Sequence, residues 1–221
     1  MIGRVSLVLF DLDGTLIDSA PDLAAAANAM RVERGLPPLP LAALRPWVGS
    51  GARGMLGAAF AMTPDDVRFV AMRDEFLDRY SAASLVHTAL FEAIVPVLDQ
   101  LDALGLRWGI VTNKATRFTL PILEGLGLGH RAAAVVCGDT TPHSKPHPAP
   151  LLEAAQRAGT APASCVYLGD DHRDIVAGRA AGMAVLAAGW GYLGQGAPIG
   201  AWGADAVLPA PIELLKWLEL P

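Results

Sequence analysis

Four short clusters of acidic, basic and hydroxyl residues, each set directly after an apolar run, carry the chemistry open to this chain. In the first, Val5–Phe10 leads into Asp11-Leu12-Asp13-Gly14-Thr15. Residues i and i+2 of an extended backbone project to the same side. Asp11 and Asp13 therefore leave the carboxyl end of a strand together, where open α/β sheets bind ligands. Two carboxylates this close repel each other unless a cation lies between them, and hard oxygen donors suit Mg²⁺. The same residues would also serve as an acidic strand-to-turn exit.

The other three clusters follow the same design. Ile110-Val111 precedes Thr112-Asn113-Lys114; a hydroxyl and a backbone amide there can donate to a phosphate oxygen, or simply hold a turn. In Ser144-Lys145-Pro146-His147-Pro148 the lysine sits in stiff backbone. Its ammonium can neutralise a phosphate and a nucleophile, or be a surface loop charge. Tyr167-Leu168-Gly169 delivers Asp170-Asp171-His172-Arg173-Asp174. Asp170 and Asp174 share a face if the turn is helical, which suits one metal ligand and one supporting partner able to pair with Lys145. Asp171 reads as the N-cap of the next helix, and His172 and Arg173 as solvent-facing.

The elements that must position these clusters alternate. Strands are expected at Leu106–Thr112, Ala132–Cys137, Cys165–Gly169, Met183–Ala187 and Ala206–Leu208. Between them lie helices at Arg117–Leu126 (Pro121 a kink), Pro150–Ala158 and Ile175–Ala181, with a last one around Leu214–Leu218. Such alternation implies a parallel sheet with helices on both faces. The stretch from about Asp18 to Val86 departs from it and reads as all-helical. A helix capped by Ser19 runs to Arg34 and stops at Gly35. Short helices at Leu41–Leu44 and Ala52–Phe60 follow, and a longer one opens at Thr63. Phe69, Met72, Phe76, Tyr80 and Ala83 form its apolar stripe, read as packing. Gly189–Gly203 reads as a loop.

At 221 residues, 52% of them apolar, the chain fits one core with a modest insertion. A net charge of −5 argues against a sequence-independent nucleic-acid binder. Cys137 and Cys165 both lie in apolar stretches and read as buried reduced thiols. The N-terminus offers one basic residue, Arg4, and an apolar run too short for a signal peptide, and no stretch approaches a membrane span. A cytoplasmic protein without membrane or nucleic-acid partners is expected, as a monomer or homodimer.

Phe10–Leu16 resembles the first motif of the haloacid dehalogenase superfamily, the aspartate-nucleophile phosphatases. Thr112-Asn113-Lys114, Ser144–Pro148 and Gly169–Ile175 are similar to the second, third and fourth, in family order, and Ala177–Met183 follows the fourth as in the phosphoglycolate-phosphatase branch. Asp171 departs from the pattern, since many relatives carry Ser or Thr there. The resemblance implies a Rossmann-like α/β core formed by residues 1–17 and 88–221, with an α-helical cap at 18–87. It implies Asp11 as nucleophile, Asp13 as general acid and base, and Thr112 and Lys145 on the phosphoryl oxygens. Mg²⁺ would be held by the Asp11 side chain, the Asp13 backbone carbonyl and Asp170, supported by Asp174 and Asp171.

A metal-free haloalkanoate dehalogenase typically lacks the second acid. A phosphomutase would share the core acids, and a non-catalytic binding protein should have lost a motif residue, though none is missing. Asn113 is assigned to substrate binding. Trp47–Arg53 resembles the branch's cap loop, with Arg53 available for a substrate carboxylate and Ser50 for a hydrogen bond, or Arg53 a surface helix-start residue. His87 either reaches the site or stays at the linker surface. The branch implies a small phosphorylated metabolite as partner, 2-phosphoglycolate by default. Met30–Pro38, Ser50–Arg53, Trp108–Lys114, Gly169–Ile175 and Trp202–Asp205 are also similar to the N-acetylmuramic acid 6-phosphate phosphatases.

Overall fold

The computed structural model describes residues 5–220. Arg4 and the extreme ends of the expected core, residues 1–4 and 221, lie outside the described residues. Six parallel strands make one sheet in the order β5-β4-β1-β6-β7-β8: β1 (Leu7–Phe10), β4 (Arg107–Val111), β5 (Val135–Val136), β6 (Cys165–Gly169), β7 (Ala184–Ala188) and β8 (Ala206–Leu208). β1 is fully buried on both faces, as expected of a central parallel strand. Its Leu7 and Leu9 join Val136, Leu151, Ala154 and Met183 on one face. Val8 and Phe10 pack on the other with Leu98, Trp108, Ile110 and Leu214.

The helices that cover the sheet are α5 (Val95–Ala103), α6 (Thr116–Gly125, Pro121 inside it), α7 (Ala149–Arg157), α8 (His172–Ala180) and α9 (Glu213–Trp217). Between β1 and α5 the chain leaves through β2 (Ile17–Asp18) and returns through β3 (Ala89–Leu90), two residues each. They pair antiparallel, Ile17 with Leu90 and Asp18 with Ala89. The segment between them holds α1 (Ala20–Glu33), α2 (Leu41–Leu44), α3 (Gly51–Phe60) and α4 (Phe69–Ala82).

Two local expectations are corrected. The α1 terminus is not capped by its own Ser19 side chain. The Tyr192 hydroxyl accepts from the Ser19 and Ala20 amides instead, and Ser19 Oγ is turned to Asp13. α4 begins at Phe69 rather than Thr63. There the Asp66 carboxylate accepts from the Arg68 amide and guanidinium, holding residues 66–68 in a turn before the helix.

Candidate active site

Because β4, β1 and β6 are neighbours in register, with Phe10 opposite both Ile110 and Leu168, their carboxyl ends coincide. Asp11, Thr112 and Asp170 are thereby brought together from sites about a hundred and sixty residues apart in the chain at most. A cavity of about 390 Å³ opens at these ends, lined by all four clusters.

Lys145 binds the arrangement. It is 4% exposed, and its Nζ lies 2.8 Å from Asp11 Oδ1, 2.8 Å from Asp174 Oδ1, 2.8 Å from the Tyr167 hydroxyl and 3.1 Å from the Val111 carbonyl. Burial works against the ammonium charge, but the two carboxylates outweigh it and hold the Lys145 pKa above its ordinary value. Asn113 fixes the lysine's backbone. Its side-chain oxygen accepts from the Lys145 amide and its NH₂ donates to the Lys145 carbonyl, both at 2.9 Å. Asn113, expected on the substrate, lines the cavity, and its side chain is committed to placing Lys145. Thr112 Oγ1 accepts from the Lys114 amide at 3.1 Å, which leaves its O–H free to donate into the cavity it lines.

Asp170 is gripped through both oxygens, by the Thr15 hydroxyl at 3.2 Å and the Tyr192 amide at 2.8 Å. Space around it is tight. Gly14, at φ +86°, would place a Cβ 2.2 Å from the Asp170 carboxylate. Asp171 is the N-cap of α8, and its amide is bonded in return by Asp174 Oδ2. Asp174 is thus used up on Lys145, Tyr167 and Asp171.

Asp11, Asp170 and Asp174 offer carboxylate oxygens all within 4.8 Å of one another. Three acids face one ammonium, a surplus of negative charge in a buried place. Burial, with Asp174 adding and Lys145 opposing, pushes the Asp11 pKa up to about 7; burial and the Asp11 charge hold Asp170 well above the carboxylate range. Buried, uncompensated hard oxygen donors are what a divalent cation such as Mg²⁺ fits. Asp11 and Asp170 are the pair placed to hold it, since Asp174 already spends both oxygens.

Asp13 does not point at this cluster. Its carboxylate accepts from Ser19 Oγ at 2.5 Å and from Lys114 Nζ at 3.0 and 3.2 Å. Lys114, quoted in the second motif but given no role by the sequence, is therefore a charged partner of Asp13. Arg173 is a second correction: half-buried rather than solvent-facing, it pairs with Asp171 and donates to the Gly49 carbonyl of the helical segment. Ser50 lines the cavity. Arg53 is exposed on α3 and His87 is exposed in the returning linker, and neither is among the lining residues. Phe76 and Tyr80, read as packing, do line it. The signal that could have singled out Tyr80 is its hydroxyl, which a purely apolar stripe does not need.

A family model described as haloacid dehalogenase-like hydrolase matches residues 8–188. The chain is 44% identical over 216 residues to a Pseudomonas putida protein named N-acetylmuramic acid 6-phosphate phosphatase, covering 98% of this chain and 97% of that one. It is 50% identical over 208 residues to a Xanthomonas campestris protein named phosphoglycolate phosphatase, covering 94% and 93%. Among solved structures, a predicted phosphoglycolate phosphatase from Haemophilus somnus superposes with TM-score 0.85 at 29% identity, over 98% of this chain and 99% of that one.

Proposed function

Since the chain belongs to the haloacid dehalogenase-like hydrolases, we propose that it is a Mg²⁺-dependent phosphatase cleaving a small phosphate monoester through an aspartyl-phosphate. The observation that carries this is the Lys145 ammonium held between Asp11 and Asp174, with Asp170 beside them. Asp11, whose second carboxylate oxygen is left for the ligand, attacks phosphorus as the ester P–O bond breaks. Asp13 gives a proton to the departing alkoxide. As a carboxylate it then takes a proton from the water that splits the Asp11–phosphorus bond, releasing phosphate and restoring Asp11. Thr112 and Lys145 stabilise the phosphoryl oxygens in both halves. Bound at Asp11, Asp170 and the Asp13 carbonyl, Mg²⁺ would supply charge neutralisation for the nucleophile and the phosphate. Residues 18–87 act as the cap over a core of residues 1–17 and 88–221, excluding water and selecting the leaving group.

The first substrate reading is 2-phosphoglycolate, on the likeness to the Xanthomonas protein. N-acetylmuramic acid 6-phosphate is the second, and the cavity favours it. About 390 Å³ falls within the roughly 300–1,000 Å³ of pockets that hold drug-sized ligands, ample for a sugar and generous for a two-carbon acid.

Asp11→Asn should abolish Mg²⁺-dependent hydrolysis, by at least about 10³-fold in kcat, with an unchanged circular dichroism spectrum. Wild-type turnover in that variant would sink the mechanism.

A further inference from the structure

Tyr80 of α4 lines the cavity and is 2% exposed. Among the described residues, its hydroxyl is the one buried side-chain polar atom that meets no hydrogen-bond geometry, and the one polar group near enough to act on it as a partner, the Lys114 ammonium, can only donate to the phenol oxygen, so the O–H proton has no acceptor. Buried polar groups are nearly always satisfied, and one that is not calls for an explanation. The surroundings supply it. Lys114, the partner of Asp13, lies with its ammonium 4.7 Å from the centre of the Tyr80 ring, and Phe118 packs against the ring from the other module at 5.8 Å. Burial pushes the Tyr80 pKa up to about 12, so the group is a phenol with a proton to donate. Through Lys114 it is linked to Asp13, the group that protonates the leaving alkoxide under the mechanism above.

We propose that Tyr80 is the specificity-determining residue of the helical segment: its hydroxyl donates to an acceptor group, a carboxylate or hydroxyl, carried on the alcohol part of the phosphomonoester, with the Lys114 ammonium beside it. This rests on the phosphatase reading and deepens it. A leaving group without such an acceptor leaves the phenol proton unpaired, as it is here, and forgoes that binding. The apolar wall of Leu23, Phe76 and Phe118 takes the carbon skeleton.

The test is Tyr80→Phe, with kcat and KM measured for 2-phosphoglycolate, N-acetylmuramic acid 6-phosphate and phenyl phosphate. Phenyl phosphate carries no acceptor beyond the ester. For the better of the two carboxylate-bearing substrates, kcat/KM relative to phenyl phosphate should fall at least tenfold, chiefly through KM. The melting temperature of the variant should stay level or rise, because the hydroxyl proton it removes has no acceptor in the ligand-free protein. An unchanged ratio, including an equal fall on all three substrates, would overturn the assignment. So would a ratio that falls only alongside a lowered melting temperature. If the wild-type protein hydrolyses none of the three, the phosphatase reading fails and takes this inference with it.

Discussion

One ammonium, Lys145, answers for two carboxylates, and the acids left over set how the protein responds to pH. The Asp11 and Asp170 pKa values are both raised. In the metal-free protein these groups therefore favour the fold while protonated. For Asp11 that contribution is fully present below its ordinary value of 3.8 and is lost as pH rises to about 7. Asp11→Asn removes the titrating group. Its melting temperature relative to wild type, measured with chelator, should climb from pH 4 to 7 and level off above; a constant difference would mean that Asp11 titrates normally. A divalent cation reverses the pattern, because it binds only the ionised acids. The stabilisation by millimolar Mg²⁺ should grow between pH 5.5 and 7.5 and vanish with EDTA. Equal thermal shifts at the two pH values would argue against binding at Asp11 and Asp170.

The residues the sequence hid are those whose meaning depends on a distant partner. Lys114 finds Asp13 across 101 positions, Tyr192 reaches back 173 positions to the Ser19 amide, and Tyr167 serves a lysine 22 residues away. Nothing in the local pattern announces such pairings. Asp11, Asp170 and Lys145 were legible because four such clusters recur in one order, two of them acids after an apolar strand and one a lysine directly before a proline, although each alone also fits a turn or a surface loop.

Among the elements, the six strands of the sheet were readable from their apolar runs, with Cys165–Gly169 and Ala206–Leu208 matching to the residue. β2 and β3 were not, since two residues show no period. What steadies the returning linker is Asp22 of α1. Its carboxylate accepts from the Val86, His87 and Thr88 amides and from the Thr88 hydroxyl. Hydrogen bonds to a charged group contribute roughly 1.5–3 kcal/mol each, non-additively. Asp22→Ala should then lose about 3 kcal/mol by urea denaturation and open the linker around Leu85–His87 to proteolysis in native buffer. A variant that resists the protease as wild type does would show that the linker is held by other contacts. Cys165 offers a milder check: burial pushes its thiol up to about 11, so the native protein at pH 8 should leave it unalkylated while urea exposes it.

At the scale of the whole molecule, the halves of the site come from different places. Asp11, Thr112 and Asp170 follow strand ends, Lys145 comes from the loop before α7, and much of the opposite cavity wall comes from α1, α3 and α4. Arg173 ties the halves together through Asp171 on one side and the Gly49 carbonyl on the other. Arg173→Ala should raise KM several-fold for every substrate alike, in contrast to the selective effect expected at Tyr80. A change confined to kcat would place Arg173 with the chemistry instead.

The segment carrying the wall departs at Asp18 and rejoins at Ala89, which face each other across a two-residue ribbon. A helical insert therefore meets the sheet domain at two adjacent chain ends, and must also supply the carbonyl that Arg173 holds, as Gly49 does, and the hydroxyl on Asp13, as Ser19 does. With those two contacts kept, residues 19–88 form one cassette whose exchange replaces the α1, α3 and α4 wall of the cavity and leaves the strand ends in place.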